Sequence, residues 1–265
     1  MRAATFGLVV GVVGAMVLVG VAGAQSAEPA CTMGFSGFHS YGAVGRSAFS
    51  ATVKSTFEQR LADGSYVRGY VMTHQARDGA GRTLSEMAQG CHRDENGVPQ
   101  PWLTVNVFDP VAKISLNWQV NMPFADKVVH VFHSSPTPPK PMTAEERAAQ
   151  RKRLQLQQPQ ASEYKHEDLG VRTIAGVEAH GSRTTQTVPP GEEGNELALV
   201  ITHETWTAKD PGLVVMAMDD DPRRGRSTYE VEELTVGEPD ASLFAPPAGY
   251  KILDQNPPVD SATKP

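Results

Sequence analysis

The sequence has only two cysteines in 265 residues, Cys31 and Cys91, and they are too far apart to form a C-x-x-C redox or zinc motif. It also lacks the G-x-S-x-G nucleophile elbow, the phosphate loop, the dinucleotide fingerprint and the H-E-x-x-H metal motif. These absences exclude the enzyme classes that the motifs identify. The sequence therefore predicts no catalytic residue, no metal ligand and no cofactor.

An excess of positive charge is also absent. The chain has 24 basic and 30 acidic residues, a net charge of −6. A nucleic-acid-binding surface needs clustered basic side chains, so this balance argues against a nucleic-acid partner and against an anionic lipid surface.

Long apolar runs are missing except at the start of the chain. Arg2 precedes an uncharged apolar run over residues 6–21, and Ala22-Gly23-Ala24 then offers a small-x-small cleavage site. This order is typical of a secretory signal peptide, so we expect residues 1–24 to be removed and the protein to be periplasmic or secreted. A retained membrane anchor is the alternative reading of the same run. After removal of the leader, no further run is long enough to span a bilayer.

An even number of cysteines in an exported chain predicts a disulfide between Cys31 and Cys91. Two free thiols are the alternative. The bond would close a loop of about sixty residues and stabilise the fold by roughly 4 kcal/mol in the chain-entropy model.

Alternation of apolar and polar residues is the main structural signal. Beginning at Phe49, every second residue is mostly apolar and the intervening residues are polar, which predicts a strand with one buried face. Asp63-Gly64 and Asp78-Gly79 predict hairpin turns after it. The apolar positions of this alternation, in the first strand and in a later one, are expected to face a ligand on a concave sheet. They are Phe49, Val53 and Phe57 in the first strand, and Ile114, Leu116 and Trp118 in a later one.

The fold class predicted is mainly β (α+β): a large, curved antiparallel sheet, half-barrel-like, in one domain over residues 49–250. Residues 25–48 form an N-terminal extension, and residues 251–265 are predicted to be a disordered tail. A Pro-rich and helical insertion over residues 136–160 separates two strand-rich halves. Thr143 and Glu146 predict a capping box that opens its polar helix, either a solvated insertion or a basic partner-binding helix. Near the end of the last strand, the phase of apolar residues changes between Val231 and Leu234, which predicts a bulge.

The C-terminal part of the domain carries a recognisable string. It reads Gly237-Glu238-Pro239-Asp240-Ala241-Ser242-Leu243-Phe244, followed by Pro246-Pro247-Ala248-Gly249-Tyr250. This ending resembles that of a family of secreted bacterial envelope proteins, of the acidobacterial type, to which no activity is assigned. The family is distantly similar to periplasmic lipoprotein carriers and anti-sigma-factor regulators. The resemblance implies a half-barrel whose concave face holds acyl chains beneath helices, but this sequence predicts only one polar helix.

Three functions follow as hypotheses. The first is a non-catalytic secreted or periplasmic binding protein for a lipid, an acyl chain or a hydrophobic peptide. The second is an envelope protein-interaction or sensing module that uses the basic helix over residues 147–153. The third is a hydrolase with an unfamiliar site, which would need clustered titratable groups in a pocket.

Overall fold

The computed structural model describes residues 31–32, 41, 45–122, 124–134, 142–156 and 162–256. Its elements within these ranges follow in chain order. They are β1 (Phe49–Arg60), β2 (Tyr66–Arg77), β3 (Thr83–Arg93), β4 (Pro99–Asp109), β5 (Ile114–Val120), β6 (Val128–His133), α1 (Ala144–Leu156), β7 (Glu163–Ile174), β8 (Val177–Val188), β9 (Leu199–Ala208), β10 (Leu213–Asp221), β11 (Gly225–Val236), a 3₁₀ helix (Ala241–Phe244) and β12 (Lys251–Asp254).

All twelve strands join one open, curved, half-barrel-like sheet, which confirms the predicted fold class. The strand order is β12-β6-β5-β4-β3-β2-β1-β11-β10-β9-β8-β7. Neighbouring strands are antiparallel except β12, which pairs with β6 in parallel. Strand β1 lies in the middle, with β2 on one side and β11 on the other, so it joins the two halves of the chain.

The register divides the side chains of the sheet between two faces, because residues directly opposite each other on paired strands point to the same side. We call the side that carries Phe49, Val53 and Phe57 of β1 face A. Face B is the side that carries Ser50 and Thr52.

Face A of the central strands carries a core to which the segment before β1 contributes. Phe49 and Val53 are buried together with Tyr229 and Val231 of β11. The Tyr41 ring packs edge-on against the Tyr229 ring, with 5.0 Å between centroids. The extension that precedes β1 therefore contributes to this core.

A second core lies on face B of β3 to β6. It contains buried residues from all four strands together with Phe244 of the 3₁₀ helix. Its buried residues on these strands are Leu84, Ala88, Leu103, Val105, Val107, Trp118 and Val129.

The predicted disulfide between Cys31 and Cys91 is confirmed. Strands β2 and β3 pair only over residues 75–77 and 83–85, and they separate beyond that point. Cys31 forms an isolated bridge with Val71, and Thr32 exchanges hydrogen bonds with Tyr70 at 2.8 and 2.9 Å. Because Cys91 belongs to β3, the disulfide links β2 to β3 through this short segment where their own ladder is missing.

The helix is also confirmed. The Thr143 amide donates to Glu146 Oε2 at 2.6 Å, and the Glu146 amide donates to Thr143 Oγ1 at 3.1 Å, which is the predicted capping box. The described side chains of α1 are exposed. Its partner-binding role stays a prediction. No helix in the described ranges has the length and apolar character needed to cross a bilayer.

Some boundaries differ from the prediction. The start of the predicted disordered tail is strand β12, held against β6 by backbone pairing and by a His133–Asp254 contact of 2.8 Å. The bulge between Val231 and Leu234 is confirmed, since Thr52 pairs with Glu233 and Val53 with Val231. The predicted leader and residues 257–265 lie outside the described residues, as do parts of the extension and of the insertion.

We expect replacement of both Cys31 and Cys91 by serine to lower the free energy of unfolding by roughly 4 kcal/mol. The reason is that the unfolded chain regains the conformational entropy that closing a loop of 60 residues removes. Urea unfolding followed by circular dichroism measures this change. Dithiothreitol should destabilise the wild type and leave the double variant unchanged. Equal midpoints for the two proteins would show that the bridge adds no stability.

The Trp206 indole provides a second test. An added Cβ at Gly181 would lie 2.7 Å from the Trp206 ring, which is fixed by its hydrogen bond to Glu204 (2.7 Å) and by Arg172 stacked at 4.0 Å. Gly181→Ala should therefore destabilise the protein by about 1–3 kcal/mol in thermal or urea unfolding. Ser182→Ala, on the opposite face of the same strand, is the control and should have a much smaller effect.

Candidate functional site

The six residues predicted to face a ligand do not share a surface. From β1 through β2, β3 and β4 to β5 the pairing that links Phe49 to Ser115 is unbroken, so Ser115 lies on face A. Its neighbours Ile114 and Leu116 therefore point to face B, as does Trp118.

The two groups also differ in exposure. Phe49 and Val53 are buried in the face-A core, and Phe57 is half-buried opposite Gly69 and Ser227. On β5, Trp118 is buried in the face-B core, Leu116 packs against that core, and Ile114 is half-buried. Phe49, Val53 and Trp118 act as core residues here. A ligand-facing role for the other three stays a prediction.

The structure instead places a cavity of about 220 Å³ on face B, where β1, β2, β3 and β11 meet the 3₁₀ helix. We call it the face-B cavity. It is lined by Ser50, Ala51, Thr52, His74, Gln75, Ala76, Leu84, Glu233, Thr235 and Leu243.

One side of the face-B cavity is polar. The backbone amide and Nδ1 of His74 both contact Glu86 Oε2, at 2.8 and 2.9 Å. Thr52 Oγ1 donates to Glu233 Oε2 at 3.3 Å. With Nδ1 directed at Glu86, the other ring nitrogen of His74, Nε2, is available to a ligand.

Contacts with carboxylates shift the pKa of His74 on this polar side. The pKa of His74 is raised above its ordinary value, chiefly by the hydrogen bond to Glu86 and further by the charges of Glu86 and Glu233, while partial burial opposes the shift. Lys54, on the same face of β1, lies 3.8 Å from Glu232 and over the ring of Tyr70. The carboxylates of Glu86 and Glu233 make this wall rich in hydrogen-bond acceptors.

The other side is apolar, and it is built by Ala76, Leu84 and Leu243. Leu243 is held in place by its neighbours in the 3₁₀ helix. Asp240 caps that helix by accepting from the Ser242 amide at 2.8 Å, and Phe244 is buried in the face-B core.

The 3₁₀ helix is also fixed from the side of the β2–β3 turn. The Arg82 guanidinium stacks over the Phe244 ring at 4.8 Å and contacts Asp78 at 2.6 Å. Glu238 accepts a hydrogen bond of 2.9 Å from the Gly79 amide. The C-terminal string singled out in the sequence thus positions one wall of the face-B cavity.

The site residues that sequence reasoning missed are His74, Glu86, Glu233 and Leu243. For Glu233 the signal was the predicted bulge, which places Glu233 on the opposite face of the sheet from Val231. For His74 and Glu86 the signal was their position on opposing strands, with five residues of turn between the strands. No group of three His, Cys, Asp or Glu side chains in the described ranges is placed to hold a metal ion.

Comparison with known proteins gives no sequence match. No protein-family model matches the chain, and no curated protein sequence matches it. The resemblance to acidobacterial envelope proteins therefore stays a prediction.

Solved structures give distant similarities. The Pseudomonas aeruginosa MucA/MucB complex matches at 11% identity over 76% of this chain and 56% of that chain, with a TM-score of 0.30. Mycobacterium tuberculosis lipoprotein LppX matches at 14% identity over 71% of this chain and 86% of that chain, with a TM-score of 0.26. A putative outer membrane lipoprotein-sorting protein domain from Vibrio parahaemolyticus matches at 8% identity over 76% and 91%, with a TM-score of 0.27.

The chain spans 56 to 61% of the matched chains in the MucB structures. TM-scores of this size do not establish a common function, so the function is inferred below from this chain's own residues.

The His74–Glu86 pair can be tested by titration. We expect the pKa of His74 to lie above about 6.5, and Glu86→Gln to bring it down toward that value. The stability that this pair contributes is complete below the ordinary histidine pKa and is lost as the pH rises through the raised pKa. NMR titration of the imidazole Cε1–H signal measures the shift. Glu178→Gln, an exposed change on β8, should leave it in place; an unshifted His74 in the wild type would contradict the prediction.

Proposed function

We propose that this chain is a non-catalytic binding protein of the bacterial envelope that holds an amphipathic ligand in the face-B cavity. The ligand has a short apolar chain and a hydrogen-bond-donating or cationic head group. The observation that carries the proposal is one cavity in which an apolar wall faces an acceptor-rich wall.

The polar wall selects the head group. Glu233 lines the cavity and Glu86 contacts the His74 ring, so two carboxylates stand against at most one imidazolium charge. This wall therefore carries a net negative charge at pH 7 and attracts a cation. The Thr52 hydroxyl, which donates to Glu233, adds a directional hydrogen-bond acceptor through its oxygen. An amine satisfies these acceptors, whereas a carboxylate head would meet Glu233 with like charge.

The apolar wall selects the chain. Burial of a methylene group against Ala76, Leu84 and Leu243 stabilises the complex by about 0.8 kcal/mol. A volume of about 220 Å³ suits a chain of modest length or the end of a longer one. This arrangement is the usual one for small-ligand sites, which combine apolar walls with few polar groups.

The envelope location rests on two supports of different kind. The Cys31–Cys91 disulfide is the kind of bond that persists in oxidising compartments outside the cytoplasm. The leader predicted over residues 1–24 is the second, and it comes from the sequence alone.

A head-group series tests the ligand class. Octylamine, octanol and octanoate share one chain and differ in the head group. We expect octylamine to bind the mature protein at pH 7 at least about tenfold more tightly than octanoate, in isothermal titration or ligand-detected NMR. Glu233→Gln should weaken octylamine and leave octanol unchanged. Octanoate binding as tightly as octylamine would contradict the head-group assignment.

A blocking substitution tests the location. Thr235 is exposed at the cavity rim, so Thr235→Trp should fill the cavity without disturbing a core and should abolish octylamine binding. Thr173→Trp makes the same change at an exposed position on β7 and serves as the control. If both variants bind like the wild type, the ligand does not occupy the face-B cavity.

A further inference from the structure

A second and larger groove lies on face A of strands β3 to β6, on the other side of the sheet from the face-B cavity. Its volume is about 460 Å³. We call it the Phe108–Phe132 groove. It is lined by Thr83, Ser85, Asn106, Val107, Phe108, Ser115, Leu116, Asn117 and Phe132.

Two phenyl rings border this groove. Phe108 and Phe132 are 43% and 44% exposed. Phe108 pairs with Ser115, and Ser115 pairs with Phe132, so the two rings stand in one cross-strand row with a serine between them. Two strand spacings separate them by roughly 10 Å. Each ring is thus partly exposed at the groove instead of filling a core, and the Phe132 ring also stacks on the His130 ring, with 6.5 Å between centroids.

The floor beside the row of the two rings is polar, in the next cross-strand row. Asn117 Nδ2 donates to Asn106 Oδ1 at 2.7 Å, which orients both amides. Asn106 Nδ2 and Asn117 Oδ1 then present a donor beside an acceptor, with no partner among the described residues. Ser85 lies opposite Asn106 and Ser115 opposite Phe108, so hydroxyl groups flank the amide pair.

The lining has no charged side chain. A phosphate or carboxylate ligand would find no cation there, and a cationic ligand would find no carboxylate. An acyl chain would leave the amides and hydroxyls unpaired.

We propose that the Phe108–Phe132 groove binds a neutral oligosaccharide. The apolar C–H face of a pyranose ring packs on a phenyl ring, as apolar ligand surfaces do on aromatic side chains. The adjacent donor and acceptor of the asparagine pair match two neighbouring sugar hydroxyls. The spacing of the rings allows units of one sugar chain to pack on Phe108 and Phe132, while the asparagine pair in the next row binds their hydroxyl groups.

The test uses the mature protein and three uncharged hexasaccharides: maltohexaose, cellohexaose and chitohexaose. Saturation-transfer NMR and isothermal titration detect binding. We expect at least one of the three to bind, and a charged galacturonate hexamer to bind at least about tenfold more weakly. No binding of any neutral hexamer at millimolar concentration would overturn the proposal.

Substitutions locate the site. Phe108→Ala, Phe132→Ala and Asn117→Leu should each weaken binding by about tenfold or more, since each removes one contact surface. Phe124→Ala removes a fully exposed phenyl ring outside the groove and should bind like the wild type. Unchanged thermal midpoints confirm folding. Asn106→Leu provides an independent second variant of the amide pair if Asn117→Leu fails to fold.

Two results separate this proposal from others. Retained binding in all groove variants would move the sugar to another surface. Concentration-dependent association of the protein that Phe108→Ala and Phe132→Ala abolish, without sugar binding, would identify a contact between copies of this chain and would overturn the sugar assignment. Octylamine binding to the face-B cavity should persist in these variants, because the two sites lie on opposite faces.

Discussion

The register of β1 against β2 and β11 is the constraint on which the rest of the structure depends. β1 joins strands from the two ends of the domain, and its partners in β11 lie 168 to 187 residues further along the chain. From β1 to β6 the register is continuous over the rows that contain Asn106 and Asn117. Every side chain in these rows is therefore assigned to a face by β1.

A one-residue slip would exchange the two faces. Val107 and Leu116 would then face solvent, and Asn106 and Asn117 would enter the core. The buried residues on one face thus also hold the amide pair of the groove on the other. Core and candidate sugar site are two sides of one ladder.

The bulge on β11 also determines which face a side chain lies on. Thr52 pairs with Glu233 and Val53 with Val231, which leaves Glu232 as the extra residue. Strict alternation would put Val231 and Glu233 on the same side. The extra residue lets Val231 stay in the face-A core while Glu233 points into the face-B cavity.

Local signals predicted most of the fold. Alternation located the central strands, Asp-Gly turns located the hairpins, and Thr143 with Glu146 located the helix start. Cysteine count gave the disulfide. Each of these depends on residues close in sequence or on a single pair, so the sequence itself carries enough information.

Features that depend on distant pairing were harder to predict. Alternation assigns faces within a strand, but it does not say which face of β5 matches a given face of β1, and so Phe49 and Leu116 were wrongly expected to share a surface. Leu84 of β3 and Leu243 line one cavity because Phe244, which follows β11 in the chain, is buried in the face-B core that contains Leu84. Strand β12 is four residues long and pairs in parallel, which no local pattern indicates.

The C-terminal segment explains how the face-B cavity keeps its shape. Its 3₁₀ helix is anchored by Phe244 in the core, and Tyr250 Oη donates to the Gln119 carbonyl at 2.8 Å just before β12 joins β6. Leu243 is therefore fixed between two attachments, one on the β2–β3 turn and one at the sheet edge. A wall ordered in this way before binding costs little additional conformational entropy when a ligand enters. The apolar half of the cavity is thus preformed. The polar half around His74 and Glu233 determines which ligand head group is selected.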